Sequence, residues 1–595
     1  MTDRTLRADR HGEKTDHSSN DSDPRSNAWG SVGVLFVLLI AWLWTFQGLI
    51  EHPPGSWVPR YASLEQGPEL TLNSHVLDTD QGFVAWLVSR NARTWTESPA
   101  RIFDGEICHP TPQSLAFGEP ALTLGLLAMP AWWFTGDPLW TYNSVVWILP
   151  LFSAFVMFLV VKSWTGNALA AGVAALLYGF HSARLSDPTH LYVPDTVWTL
   201  LALFFFRRWL LNGRWGDVSA LGGAISLQIG GSLYPLIAGA SVGLPFAIWG
   251  FSHLGVKRTR PLQWATLVVL LGAVLYAAFS PALSMASNGD LMPRNVQVFL
   301  PWSTLWSDPE RKLGFWLWGL PLLALWPQSA RPVTSLRWAL LAGALLALAL
   351  ATGGNVAARH VASIAGEPPP WALPNLYAAL ASVLPGLDVV RLPASIAYGA
   401  YLALALLAGL GVAEVLKRLP PRAHWAFGSL VLGCVFLSTI RPGWSGDQVF
   451  AYKNLRPERA ELAFFDRLAA SGDQGPVLEL PMEPGLRSRD GLSILVAAYH
   501  TRPTSACYNS FLPQQTRRVQ TLAAALPEVD AIQSLHGMGF RTVVLHHNVY
   551  GKNSDALLHA MERAAGDSGG GLIRIESDGE RTAFRLRPKE PGPAS

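Results

Sequence analysis

Val32-Gly-Val-Leu-Phe-Val-Leu-Leu-Ile-Ala-Trp-Leu-Trp-Thr-Phe-Gln-Gly-Leu-Ile50 runs without a single ionisable side chain. A hydrocarbon core about 30 Å thick takes about 20 such residues to cross as a helix, so this run reads as a membrane span. It is longer than the apolar core of a cleaved signal peptide, and Glu51-His52-Pro53-Pro54 lacks the small-residue cleavage pattern. Further apolar segments lie near 143–161, 167–181, 191–206, 217–235, 237–252, 262–280, 313–327, 338–353, 393–415 and 424–440. The expected fold class is a predominantly α polytopic membrane protein of about 11 transmembrane helices.

Composition agrees. Charged residues make up 15% of the 595, where soluble proteins average about 25%, and mean hydropathy is +0.23. A net charge of +3, with no interior cluster of Lys and Arg among aromatics, speaks against a nucleic-acid partner. Three cysteines, Cys108, Cys434 and Cys507, exclude a disulfide scaffold and a four-thiolate zinc site. One bridge, Cys108 to Cys507, stays open, as does no bridge at all.

Orientation follows from charge. Residues 1–28 are polar, carry Arg4, Arg7, Arg10, Lys14 and Arg25, and read as a disordered cytoplasmic tail. With that tail inside, the short inner loops hold Lys162, Arg207, Arg208, Arg214, Lys257, Arg258, Arg260, Arg331, Arg337, Lys417, Arg418 and Arg422. The short outer loops hold only Arg184, Arg294, Arg311, Lys312, Arg359 and Arg391, which satisfies the positive-inside rule. Counting Ala116–Phe134 as a span would invert every later loop; with Glu119, Pro120, Pro130 and a terminal Trp132-Trp133-Phe134 it reads as an interfacial helix. The expected domains are the tail 1–28, a membrane domain 29–440 that includes a first outer loop 51–142, and an outer domain 441–595. In that last part Val477–Leu480 and Thr542–Leu545 read as strands, and 457–470, 516–525 and 554–565 as helices, an α/β pattern. The location predicted is a bacterial plasma membrane, with the C-terminus outside.

The outer parts carry the ionisable residues. Asp78-Thr-Asp80 precedes an amphipathic stretch, and two carboxylates above a membrane suit general-base work or a divalent ion such as Mg²⁺ or Mn²⁺. Residues two apart share a face only in extended backbone, so joint ligation by Asp78 and Asp80 requires the motif to precede the helix. Its plainer role is a helix cap by Asp80. Asp104, Glu106, His109 and Glu119 sit in Pro- and Gly-rich loop, where turn and cap roles compete with lining a cleft. His181 to His190 joins two spans on the outer face, and Asp195 follows inside the next span, a functional candidate or a residue near the wet end of that helix. Arg391, at the outer end of the tenth span, can grip phosphate bidentately or snorkel to head groups. Gly239-Ala-Ser241-Val-Gly243 matches a hydrolase pattern but lies in an apolar helix, where the required strand-turn-helix elbow cannot form. No Walker A and no H-E-x-x-H sequence occurs.

Taken in order, several short motifs resemble one family: Asp80 six residues before Trp86, Phe103-Asp104, His109-Pro110, Leu115-Ala-Phe-Gly-Glu119, Gly136-Asp-Pro138 with Tyr142-Asn143, Phe180 to Arg184, and His190-Leu191. Leu384-Pro-Gly, Val390-Arg391-Leu-Pro393-Ala and Leu478-Glu-Leu-Pro481 continue the likeness. The chain resembles bacterial polytopic glycosyltransferases of the GT-C fold, in particular YfhO-like membrane proteins. The resemblance implies an inverting transferase that takes sugar from a polyprenyl-phosphate donor to a glycan, lipid or protein acceptor on the outer face. It implies Asp80 as base with Asp78 beside it, Arg391 and Arg184 on the donor phosphate, and Glu119 and His190 lining the cleft. Thr79 stands where relatives often have glycine, and Ser395 where many have a second arginine, so the phosphate site needs a cation from elsewhere, with Arg184, Arg294 and Arg359 as candidates. A transporter or assembly scaffold for lipid or polysaccharide is the competing class. It predicts polar groups through the membrane depth, and no internal repeat of the kind common in carriers is visible.

Overall fold

The computed structural model describes residues 24–61, 70–185, 188–289, 296–302, 304–307, 313–325, 331–353, 362–364, 375–384, 386–440, 450–472, 475–482, 487–547, 554–567 and 571–587. Every apolar segment becomes a helix: Pro24–Thr45, Pro138–Thr165, Ala168–Gly179, Val197–Asn212, Trp215–Gly231, Leu233–Trp249, Pro261–Ser287, Gly314–Ala324, Arg331–Thr352, Ala397–Arg418 and Pro421–Ile440. Among the described residues four stretches, Pro138–Thr165, Leu233–Leu254, Pro261–Met285 and Pro393–Arg418, are long and apolar enough by themselves to cross a membrane. The rest are shorter or more polar. Ala168–Gly179, with 12 residues, reaches only about 18 Å, and every one of its residues is buried among neighbouring helices.

Side-chain size sets each helix's place. Ala397–Arg418 is rich in Ala, Gly and Leu and runs through the middle of the bundle, largely buried. A Cβ at Gly409 would stand 2.8 Å from Val161 and 2.9 Å from Ala174, the close approach that small residues permit between membrane helices. Pro261–Ser287 is the opposite case. Leu262, Val268, Val269 and Tyr276 are exposed, an apolar face suited to lipid.

The first loop and the tail meet at one end of the bundle. Strand Trp57–Tyr61 pairs antiparallel with Phe450–Asn454, in register from Trp57 opposite Asn454 to Tyr61 opposite Phe450. Behind it runs Leu70–Glu97, a helix of 28 residues that packs against Leu122–Thr135, Pro138–Thr165 and the tail helix Arg487–His500. Gly82 and Gly491 make that last crossing possible: a Cβ on Gly491 would lie 2.3 Å from the Thr79 carbonyl oxygen, and one on Gly82 2.9 Å from the Gly491 oxygen. The Ala116–Phe134 stretch forms a helix only over Leu122–Thr135, 14 residues ending in exposed Trp133 and Phe134. At about 21 Å it falls short of a span.

The tail is an α/β unit built on four strands in the spatial order Val477–Leu480, Thr542–His546, Arg581–Leu586, Leu572–Ser577. The first pair is parallel and the other two are antiparallel. Alternation along the strands buries both faces: Leu478, Leu480, Val543 and Leu545 pack with Val519, Ile532 and Met561, while Val477 and Val544 pack with Phe464, Phe465 and Leu468. The closing hairpin and the helices Arg487–His500 and Val529–Gly537 add to the elements expected from sequence.

Candidate active site

The loop around residues 98–121 is held from inside. Arg90, buried on Leu70–Glu97, donates to the carbonyls of Arg101, Ile102 and Asp104, and burial draws its guanidinium down to about 10. Arg93 pairs with Glu106, and His109 Nε2 lies 3.1 Å from the Met538 carbonyl oxygen. Asp104, Glu106 and His109 therefore shape the loop and fasten it to the tail. The Cys108–Cys507 disulfide is formed, across a separation of 399 residues.

Where loop, bundle and tail converge there is a cavity of about 500 Å³. Its walls include Asp80, Glu119, His190 and Arg391, four residues singled out in the sequence, together with Tyr508 and Arg517 from the tail. Asp80 is the most elaborately held. Tyr508 donates its hydroxyl to Oδ1, and His190 Nε2 lies 3.9 Å from Oδ2. The segment that carries His190 is pinned in turn, because Tyr142 donates to the Pro188 carbonyl at 2.7 Å and receives a hydrogen bond from Gln81.

Asp78 behaves differently. The Asp-Thr-Asp motif lies inside Leu70–Glu97 rather than ahead of it, so the two carboxylates point about 200° apart around the axis. Asp78 pairs with buried Arg60, whose Nε also donates to Gln81 at 3.0 Å. This corrects two expectations: Asp78 and Asp80 do not converge on a shared Mg²⁺ or Mn²⁺, and Asp80 is no helix cap. Among the described residues no group of three or more His, Cys, Asp or Glu side chains is arranged for a metal ion.

Glu119 accepts a hydrogen bond from the backbone N–H of Leu233 at 3.0 Å. Burial pushes its carboxyl above the usual carboxylate range, against hydrogen bonds from Ser232 and Leu233. Arg391 is set by its own backbone: its carbonyl accepts from Val298 at 2.9 Å, and Gln297 donates to the adjacent Val390 carbonyl. Among the described residues no carboxylate pairs with the Arg391 guanidinium. Ser395 Oγ turns back to the Leu392 carbonyl at 2.5 Å and stays out of the cavity lining.

Arg184 is a third correction. The short helix Ser182–Leu185 buries it, its guanidinium lies 4.4 Å over the Tyr178 ring and donates to Ser153 Oγ at 3.0 Å, and Asp195 is its charge partner. It lies outside the cavity lining, as a structural cation of the bundle. Arg294 and Arg359, the other expected substitutes, lie outside the described residues. Ser241 donates to the Ala238 carbonyl at 2.6 Å, a packing role as expected.

Sequence reasoning missed what the tail contributes. Tyr508, Asn509 and Ser510 follow Cys507 into the cavity wall, and Arg517 and Gln520 reach it from the helix Gln514–Ala524. The only local signals were the cysteine itself and an Arg517-Arg518 pair in an amphipathic stretch.

No family model and no curated protein matches the chain. Solved structures do. The arabinofuranosyltransferase AftD from mycobacteria is similar with a TM-score of 0.52 at 13% identity, over 95% of this chain and 40% of that one. A second structure of AftD, a variant, gives 0.51 at 14% identity, over 95% and 42%. ArnT from Cupriavidus metallidurans, bound to undecaprenyl phosphate, is similar with a TM-score of 0.46 at 13% identity, over 94% and 98%. The chain thus spans about two fifths of AftD's length. Its fold is that of the GT-C membrane glycosyltransferases: a multi-pass helical membrane domain with a small α/β domain at the C-terminal end.

Proposed function

We propose that the protein is an inverting glycosyltransferase of the YfhO-like kind, taking sugar from a polyprenyl-phosphate donor on the outer face of a bacterial plasma membrane. The observation that carries this reading is the convergence of Asp80, Glu119, His190 and Arg391, from four separate parts of the chain, on one cavity. The charge distribution supports that end of the bundle as the outer one.

The chemistry is a displacement at the sugar's anomeric carbon. Asp80 takes the proton of the acceptor hydroxyl, whose oxygen forms the new bond to that carbon. The bond from the carbon to the donor phosphate oxygen breaks, and its electron pair leaves on the phosphate. Arg391 faces the negative charge that develops there, where a preorganised cation acts most strongly. A positioned base contributes roughly 10² to 10⁴ in rate. Glu119 and His190 line the cleft, and His190 helps hold Asp80 in place. The acceptor is a glycan, lipid or protein of the cell envelope. The transporter reading is weaker, because Asp80, Glu119, His190 and Arg391 line one cavity between the bundle, the first loop and the tail.

The test is transfer of labelled sugar from polyprenyl-phosphate donors by purified protein in lipid. Wild type transfers, Asp80→Asn loses activity while keeping its fold, and Arg391→Ala weakens it. A wild type inert with every donor and acceptor, yet still binding donor lipid, turns the reading toward a transporter or scaffold.

A further inference from the structure

We infer that Arg517, delivered by the tail, is a second cation of the phosphate site, gripping the anionic head of the donor from the wall opposite the membrane helices. This rests on the reading above and deepens it. Arg517 and Arg391 line one cavity but come from different parts of the fold, a tail helix and the entry to Ala397–Arg418. Among the described residues neither guanidinium has a carboxylate partner, although the cavity holds acids: Asp80 is engaged by Tyr508 and His190, and Glu119 by the backbone of Leu233. Both residues are exposed, so their guanidiniums are open to an anion that enters the cavity, and phosphate offers the several oxygens that two planar forks can share.

The helix is built to hold Arg517 there. Thr516, Val519 and Ala523 are its buried residues, and Val519 and Ala523 seat it on the tail's core. Arg517 and Gln520, three apart and hence on one face, both line the cavity, whereas Arg518 does not. Thr516 Oγ1 donates to Cys507 Sγ at 3.6 Å, so the turn that carries Arg517 is tied to the disulfide joining tail and loop. The donor head group is therefore held between the two halves of the site, and binding couples tail docking to catalysis.

The experiment titrates the full-length protein in nanodiscs with undecaprenyl phosphate, and separately with inorganic phosphate, following tryptophan fluorescence. No transfer is needed. Arg517→Ala weakens binding of the lipid roughly ten- to a hundredfold, Arg517→Lys falls between it and wild type, and Arg518→Ala binds as wild type does with the same melting profile. Saturation by inorganic phosphate at the concentrations that saturate with lipid overturns the assignment to a lipid head group. If wild type binds the lipid and Arg517→Ala binds it equally well, the inference fails while the transferase reading stands. If wild type does not bind the lipid at all, both fall.

Discussion

Tyr508 donates its phenolic hydroxyl to Asp80 across 428 residues of sequence, so the proposed base is oriented by a group from the tail. A hydrogen bond to a charged acceptor is worth about 1.5–3 kcal/mol, about one to two decades in rate if it aligns the base in the transition state. Tyr508→Phe removes the hydroxyl and keeps the ring, which packs edge-on against Phe83. The expected outcome is a kcat reduced roughly ten- to a hundredfold, with the KM for donor little changed. Turnover at the wild-type rate would show that the bond has no part in catalysis.

That contact also marks where the sequence stopped being readable. Long apolar runs announce helices because a bilayer leaves few other solutions for a backbone, and all eleven segments became helical. Asp80, Glu119, His190 and Arg391 were legible through short motifs, but their meeting was not, since proximity depends on a crossing of Gly82 with Gly491 and on a strand pairing between residues near 57 and 454. Asp78 was misread because its spacing from Asp80 has opposite meanings in strand and helix, and the helix begins as early as Leu70. Arg184 looked like a loop cation until a four-residue helix turned it inward. Tyr508 and Arg517 had only a neighbouring cysteine and an Arg-Arg pair to mark them.

The Cys108–Cys507 bond sits directly before Tyr508 and receives the Thr516 hydroxyl. A bridge of this kind stabilises by about 2–4 kcal/mol, chiefly by limiting the unfolded chain, and here it also holds the tail's share of the cavity against the loop. Cys108→Ser with Cys507→Ser is expected to lower the thermal midpoint and to reduce transfer. Adding Tyr508→Phe to that double variant should cost much less than it costs wild type, because the two changes act on one contact. Additive losses would mean that disulfide and tyrosine act independently.

Asp78 and Arg60 form an ion pair with side-chain exposures of 15% and 5%. Removing one member of a buried pair strands the other and costs about 3–5 kcal/mol, while replacing both with apolar residues is often neutral. Asp78→Ala is therefore expected to lower stability sharply, and Arg60→Met with Asp78→Leu to recover most of it. Transfer per folded molecule should stay near wild type in the double variant, since Asp78 faces away from the cavity. A double variant that folds but is inactive would return Asp78 to the site.

The tail's stability is expected to fall as the medium is acidified, in two stages. His500 is half-buried with its Nε2 out of reach of solvent, and that desolvation draws its imidazole from an ordinary value of 6.5 to about 4. Burial alone would raise the Glu479 carboxyl, but the hydrogen bond and charge of His546, the charge of His500 and the Thr504 hydroxyl outweigh it and bring it from 4.5 to about 2. Glu479 and His546 lie 3.2 Å apart with almost no exposure. Both titrating groups have lower values folded than unfolded, so between those values the unfolded chain binds more protons and stability rises with pH. Above about pH 6.5 both contributions are fully present. From 6.5 toward 4 the His500 contribution is lost, and from 4.5 toward 2 that of Glu479. Tracking the full-length protein in detergent by limited proteolysis of the tail, over pH 3 to 8, tests this directly. Glu479→Gln should flatten the lower window and extend the His500 window toward lower pH, since the Glu479 charge favours protonated His500, whereas His500→Phe should flatten the upper one. A tail equally protected at pH 3.5 and pH 7 would show that neither group is held as the geometry requires.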